Sequence, residues 1–139
     1  MTETTIRKEI YVRASRQEVW RYLTDPDKLA LWFHRPTAPL RQGNAFEMHG
    51  AESGRRLIWG TVISAREPDY LEYTFTVEPM GDAESLVRWE LTSVAGGTRL
   101  SLHHTGLPQN AEAFGLLLSL DAGWEEHMGR LRILLHETA

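Results

Sequence analysis

The chain has no cysteine among its 139 residues, which removes disulfide staples, thiol nucleophiles and Cys-ligated zinc or iron–sulfur centres. It also lacks a basic excess. Lys+Arg total 15 against 19 Asp+Glu, a formal net charge of −4, so the electrostatic footprint that a phosphate backbone requires is missing and no nucleic-acid partner is expected. No stretch approaches the 18 uninterrupted apolar residues of a membrane span, and the opening Met1-Thr-Glu-Thr-Thr-Ile-Arg-Lys-Glu lacks a basic-then-apolar leader. No membrane insertion and a cytoplasmic location are therefore expected. Gly-rich phosphate loops, paired-carboxylate motifs and zinc-peptidase motifs are absent as well. No cofactor is expected.

What is present suits one compact domain over residues 1–139: 42% hydrophobic and 24% charged, with no repeat, linker or low-complexity tract. A chain of this length buries roughly 70% of its unfolded surface, enough for a core without staples. Ile6, Ile10 and Val12 share one parity of a first strand. Ser15-Arg-Gln-Glu18 has the form of a capping box, and Asp25-Pro26 repeats the helix-start signal, so two short helices follow. From Gly43 to His104 the pattern is strands and turns with no helix. Phe46 and Met48 share one parity; Leu71, Tyr73, Phe75 and Val77 alternate with polar residues; Val87, Trp89 and Leu91 do the same. Gly96-Gly97 predicts a tight hairpin into Leu100, Leu102 and His104. Only the strand Leu57–Ala65 is ambiguous, because Trp59 and Val62 have opposite parity and both are apolar.

After the loop Thr105–Asn110, a helix of about 26 residues is predicted, roughly 39 Å long. Leu117, Leu120, Trp124, Met128, Leu131 and Leu135 form its apolar stripe, flanked by Asp121 and His127. Gly115, Gly123 and Gly129 each weaken it by about 0.8–1 kcal/mol relative to Ala, which marks either close packing or a gap. This order predicts an α+β, helix-grip fold: a curved antiparallel sheet of about six strands wrapped around the C-terminal helix, with a space between them.

Five segments in this order carry a resemblance: Ala14-Ser-Arg-Gln-Glu-Val-Trp20; Leu31-Trp32-Phe33; Gly60-Thr-Val with Pro68-Asp-Tyr-Leu-Glu-Tyr73; Gly97-Thr-Arg-Leu-Ser-Leu-His-His-Thr-Gly106; and Gly123-Trp124 with Leu131. Over nearly the whole chain the sequence resembles the START-like, birch-pollen-allergen-like superfamily, and within it the heat-shock-protein-90 ATPase activator homologues of the single-domain prokaryotic type. The resemblance implies the helix-grip fold. It also raises a chaperone or other protein as a partner, although the separate N-terminal domain of the eukaryotic activators has no counterpart here.

The candidate ligand cavity is drawn from the residues that parity sends inward. On the helical side these are Trp32, Phe33, Phe114, Leu117, Trp124 and Met128. On the sheet they are Phe46, Met48, Trp59, Tyr73, Phe75, Trp89, Leu100 and Leu102. His104, also inward, is a general-base candidate or a satisfied core histidine, and Asp121 at the stripe's edge is its potential partner. Three functions follow. The leading one is binding of a small hydrophobic or amphipathic ligand, with affinity from apolar burial at roughly 25 cal/mol per Å² and His104, Asp121 and Tyr73 orienting its polar end. The second is a cyclase- or hydrolase-like enzyme using His104 and Asp121, a chemistry implied by enzymes that share the fold. The third is a chaperone ATPase cofactor acting through its surface. His49 and His103 face outward by parity, so no metal site is expected. The protein is expected to be a monomer or a homodimer, the latter through a free sheet edge or an aromatic patch.

Overall fold

The computed structural model describes residues 5–50, 53–81, 83–108 and 113–137. Gln109 and Asn110 of the predicted loop and the two chain ends lie outside the described residues. In order, the elements are β1 (Ile6–Val12), α1 (Arg16–Thr24), α2 (Pro26–Trp32), β2 (Arg35–Pro36), β3 (Ala45–His49), β4 (Arg56–Arg66), β5 (Tyr70–Val77), β6 (Ser85–Val94), β7 (Gly97–Thr105) and α3 (Phe114–Glu137). The seven strands form one sheet in the order β1-β7-β6-β5-β4-β3-β2, every pairing antiparallel. The extra strand relative to the expected six is the two-residue β2. A single 3₁₀ turn, Glu78–Met80, interrupts the region read as helix-free, and Pro79 at its start supplies the helical φ. The sheet's free edges are β1 and β2.

The start signals act locally. Ser15 Oγ accepts from the Glu18 N–H at 3.2 Å and Asp25 Oδ1 accepts from the Asp27 N–H at 2.9 Å, each satisfying one orphan donor of a helix start. The reciprocal half of the capping box is not made: the Glu18 carboxylate lies 3.5 Å from Arg21 one turn on, the (i, i+3) spacing that brings side chains together. Trp32 Nε1 donates to the Tyr22 carbonyl at 2.8 Å, locking α2 against α1.

The β6–β7 hairpin turns one residue earlier than Gly96-Gly97 suggests. Val94 pairs with Gly97, leaving Ala95 and Gly96 as the loop, with Gly96 at φ +88°. Gly97 instead begins β7 and lies against the Val12 carbonyl, where a side chain has no room. In α3 the three glycines have the opposite character. A Cβ added to Gly115, Gly123 or Gly129 would meet nothing within 4 Å, so they are gaps rather than close-packing positions.

The core lies between the concave face of the sheet and one side of α3, closed at one end by α1 and α2. Trp124, Met128, Leu131 and Leu135 of α3 are buried there. Facing them, Leu71, Tyr73 and Phe75 of β5, Val87 and Trp89 of β6, and Leu100, Leu102 and His104 of β7 are all buried, following the period of two.

Candidate functional site

Trp124 organises the space between sheet and helix. Its indole Nε1 donates to His104 Nδ1 at 2.9 Å, and His104 Nε2 lies 2.7 Å from Ser85 Oγ, which donates to the Phe75 carbonyl at 2.6 Å. An indole N–H is only a donor and a carbonyl only an acceptor, so the direction of the chain is determined: His104 is neutral, carries its proton on Nε2 and gives it to Ser85. His104 is fully buried, and burial pushes its imidazole down to about 4. Both ring nitrogens are engaged within the protein.

Trp124 also stacks on Phe33, with centroids 5.1 Å apart and planes 21° from parallel, and Phe33 stacks in turn on Trp32 at 5.4 Å. Beyond this stack lies a cleft of about 300 Å³. Leu57 and Ile58 of β4 with Phe75 and Val77 of β5 form its sheet wall; Ser119, Leu120, Gly123 and Trp124 form its helix wall. Gly123 opens it, since no side chain projects there. Phe33, His34 and His127 complete its lining, their rings in mutual contact. A larger hollow of about 740 Å³, between α2 and the β2–β3 region, shares the Phe33–His34 wall. The smaller cleft is the better candidate, because it is the one that lies between sheet and helix, with apolar walls and a few convergent polar groups.

A family model described as "Activator of Hsp90 ATPase homolog 1-like protein" matches residues 13–136. The chain belongs to this family. Among curated proteins, none matches it. Solved structures of similar fold include DynU16, a protein of the dynemicin biosynthetic locus (26% identity, TM-score 0.78), which this chain matches over 94% of its own length and 46% of DynU16's. The chain thus spans about half of DynU16. MLL2253 from Mesorhizobium loti (24%, TM-score 0.84; 98% and 99% of the two chains) and the Aha1 dimer from Colwellia psychrerythraea (15%, TM-score 0.78; 96% and 96%) share the fold.

In this family member the inward residues divide into three groups. Phe33, Phe75 and Trp124 line the cleft. Trp32, Phe46, Met48, Trp89, Leu100, Leu102 and Met128 are core, and Tyr73, predicted to orient a ligand, is buried with its hydroxyl accepting from Trp89 Nε1 at 3.0 Å. Burial raises the Tyr73 phenol, keeping it neutral. Leu117 packs against the core outside the cleft. Three expectations are corrected. Trp59 stands outside the core and the cleft with the Arg56 guanidinium over its ring at 3.9 Å, because its parity is opposite to that of Val62. Phe114, the first residue of α3, is 56% exposed and lines neither the core nor the cleft.

Asp121 is the third correction. Its carboxylate pairs with Lys8 Nζ of β1 at 2.9 Å on a half-exposed side of α3, so it does not meet the buried His104. The expected His104–Asp121 dyad is not assembled, and the cyclase- or hydrolase-like reading loses both its base and its partner. Conversely, His34 and His127 line the cleft without any sequence expectation pointing to them as site residues. The signal available was His127 at the edge of the α3 stripe and His34 directly after the Leu-Trp-Phe segment. Among the described residues no three His, Asp or Glu cluster to hold a metal. No described helix is long and apolar enough to cross a membrane.

Proposed function

We propose that this family member binds a small hydrophobic or amphipathic molecule in the cleft between β4–β5 and α3, in a role of sequestration, transport or sensing. The observation that carries the reading is Gly123. In the middle of α3 it gives up about 1 kcal/mol of helix propensity, and a side chain there would meet open space in the cleft rather than a neighbour. Gly115 and Gly129 also face open space, but of the three only Gly123 lines the cleft. The cleft's volume stands at the lower end of small-molecule sites, which suits a compact ligand.

Native mass spectrometry of the freshly purified protein, with thermal-shift screening of small apolar and amphipathic compounds, tests this directly. Gly123→Leu is expected to fill the cleft, weaken binding of any captured compound at least tenfold, and stabilise the free protein by about 1 kcal/mol. Gly129→Ala, outside the cleft, is expected to stabilise similarly and leave binding unchanged. Equal binding by wild type and Gly123→Leu would refute the location. A chaperone partnership is the second reading, favoured by the family's description. Stoichiometric addition to purified Hsp90 with no change in its ATPase rate would remove it.

A further inference from the structure

His34 follows α2 and His127 lies on α3; their rings meet edge to face with centroids 5.3 Å apart in the lining of the cleft. The Trp32 carbonyl accepts from His127 Nδ1 at 3.0 Å, so the neutral ring carries its proton on Nδ1 and leaves a lone pair on Nε2. Neither that Nε2 nor either nitrogen of His34 has a hydrogen-bond partner among the described residues. Arg130, one turn below on α3, donates to the same Trp32 carbonyl at 3.4 Å and to Glu126 at 3.2 Å. Three groups able to carry positive charge thus share one corner with, among the described residues, a single carboxylate, and Arg130 already holds it.

Among the described residues the remaining faces add no counter-ion. The sheet wall is Leu57, Ile58, Phe75 and Val77, none of them ionisable. Arg35 is paired with Asp27 at 2.6 Å, and His49, across the neighbouring hollow, contacts the Gly54 carbonyl and Glu47. Burial, then His127, then Arg130 hold His34 down at about 4, and His127 is lowered chiefly by burial. Both rings are therefore neutral at pH 7 in the free protein, and an anion beside them would favour their charged form.

The geometry points to an anion subsite at His34 and His127, where the carboxylate of an amphipathic ligand binds together with one proton from solvent while its apolar part lies along the cleft. This deepens the ligand-binding reading and rests on it. The protonated ring turns Nε2 from an acceptor into a donor, and a charge-assisted hydrogen bond to the carboxylate follows. At the roughly 30 Å³ that a water molecule occupies in the liquid, a cleft of about 300 Å³ holds about ten non-hydrogen atoms.

Octanoate and 1-octanol are of that size and differ in charge. Calorimetric titration of the wild-type protein with each, at pH 5.5, 6.5 and 7.5 and in two buffers of different ionisation enthalpy, separates the terms. Octanoate is expected to bind at least tenfold more tightly at pH 5.5 than at pH 7.5 with uptake of close to one proton, and octanol to change less than twofold. His127→Gln, and independently His34→Gln, are expected to flatten the octanoate pH dependence. Octanol binding as tightly as octanoate at every pH, without proton uptake, would overturn the anion subsite and leave the apolar cleft standing. Failure of both probes to bind at millimolar concentration would overturn both.

Discussion

Replacing His104 with leucine is expected to destabilise the protein by about 3 kcal/mol at pH 7, and to abolish much of its sensitivity to acid. The volume is roughly conserved, so the loss comes from polar groups. The buried Trp124 N–H is left without an acceptor, and Ser85 Oγ loses the donor it receives from Nε2. A stranded buried donor costs about 1–3 kcal/mol, and the loss of the second bond about 1 more. The pH dependence is opposite to that of a histidine held in a salt bridge, which stabilises the fold when charged. The imidazole titrates at about 4 in the fold against 6.5 in the open chain, so between these values the unfolded state binds a proton that the native state refuses. Stability contributed by neutral His104 is complete above about pH 6.5 and declines as pH falls towards 4, by about 3 kcal/mol in all. His104→Leu has no such proton to take up. The variant should therefore be less stable than wild type at pH 7 and nearly equal to it at pH 4. Urea melts across that range decide the point. A constant gap between the two proteins would show that His104 is not the group held neutral, and a variant of unchanged stability at pH 7 would dismiss the Trp124–His104–Ser85 chain as a stabilising element.

Gly60→Ala is the second large effect, expected at about 3 kcal/mol or roughly 10 °C in melting temperature. The Cβ of an alanine would lie inside the contact radius of the Thr74 carbonyl, which is backbone and cannot swing aside. Relief requires β4 and β5 to separate where Thr61 N–H donates to Thr74 Oγ1 at 2.8 Å. That strand pair also carries Ile58 and Phe75 into the cleft, so ligand affinity should fall with stability. Chemical denaturation of Gly60→Ala beside Gly129→Ala provides the comparison, since the second has open space at its Cβ and should gain stability. Melting of Gly60→Ala within about 1 °C of wild type would mean that the strands yield easily at this position.

Much of the fold is legible along the chain because it is governed by neighbours close in sequence. The Ser15 and Asp25 caps act within three residues, the alternation of Leu71, Tyr73 and Phe75 with Glu72 and Thr74 sets which side of β5 is buried, and the α3 stripe through Trp124, Met128 and Leu131 follows from the 3.6-residue turn. The same parity places His104 inward, where it is fully buried. Its partners were not readable, because Ser85 and Trp124 come from separate elements whose relative placement depends on how α3 crosses the sheet.

The rest was decided by packing over long range. Asp121 faces Lys8 rather than His104 because α3 presents that edge to β1, and a projection at 100° per residue ranks the edges of a stripe without saying which strand each one meets. Aromatic content was expected to line a cavity; most of it fills the core, and the remaining space falls where Gly123 carries no side chain. His34 and His127 become neighbours only when the end of α2 packs against α3, with the Trp32 carbonyl holding both His127 and Arg130. Periodicity and start and turn signals thus determined most of the elements and their buried faces, and the resemblance of five segments implied the family. Tertiary structure alone decided which side chains meet and where space is left, since contacts between distant segments depend on the angle and depth at which a helix closes on a curved sheet.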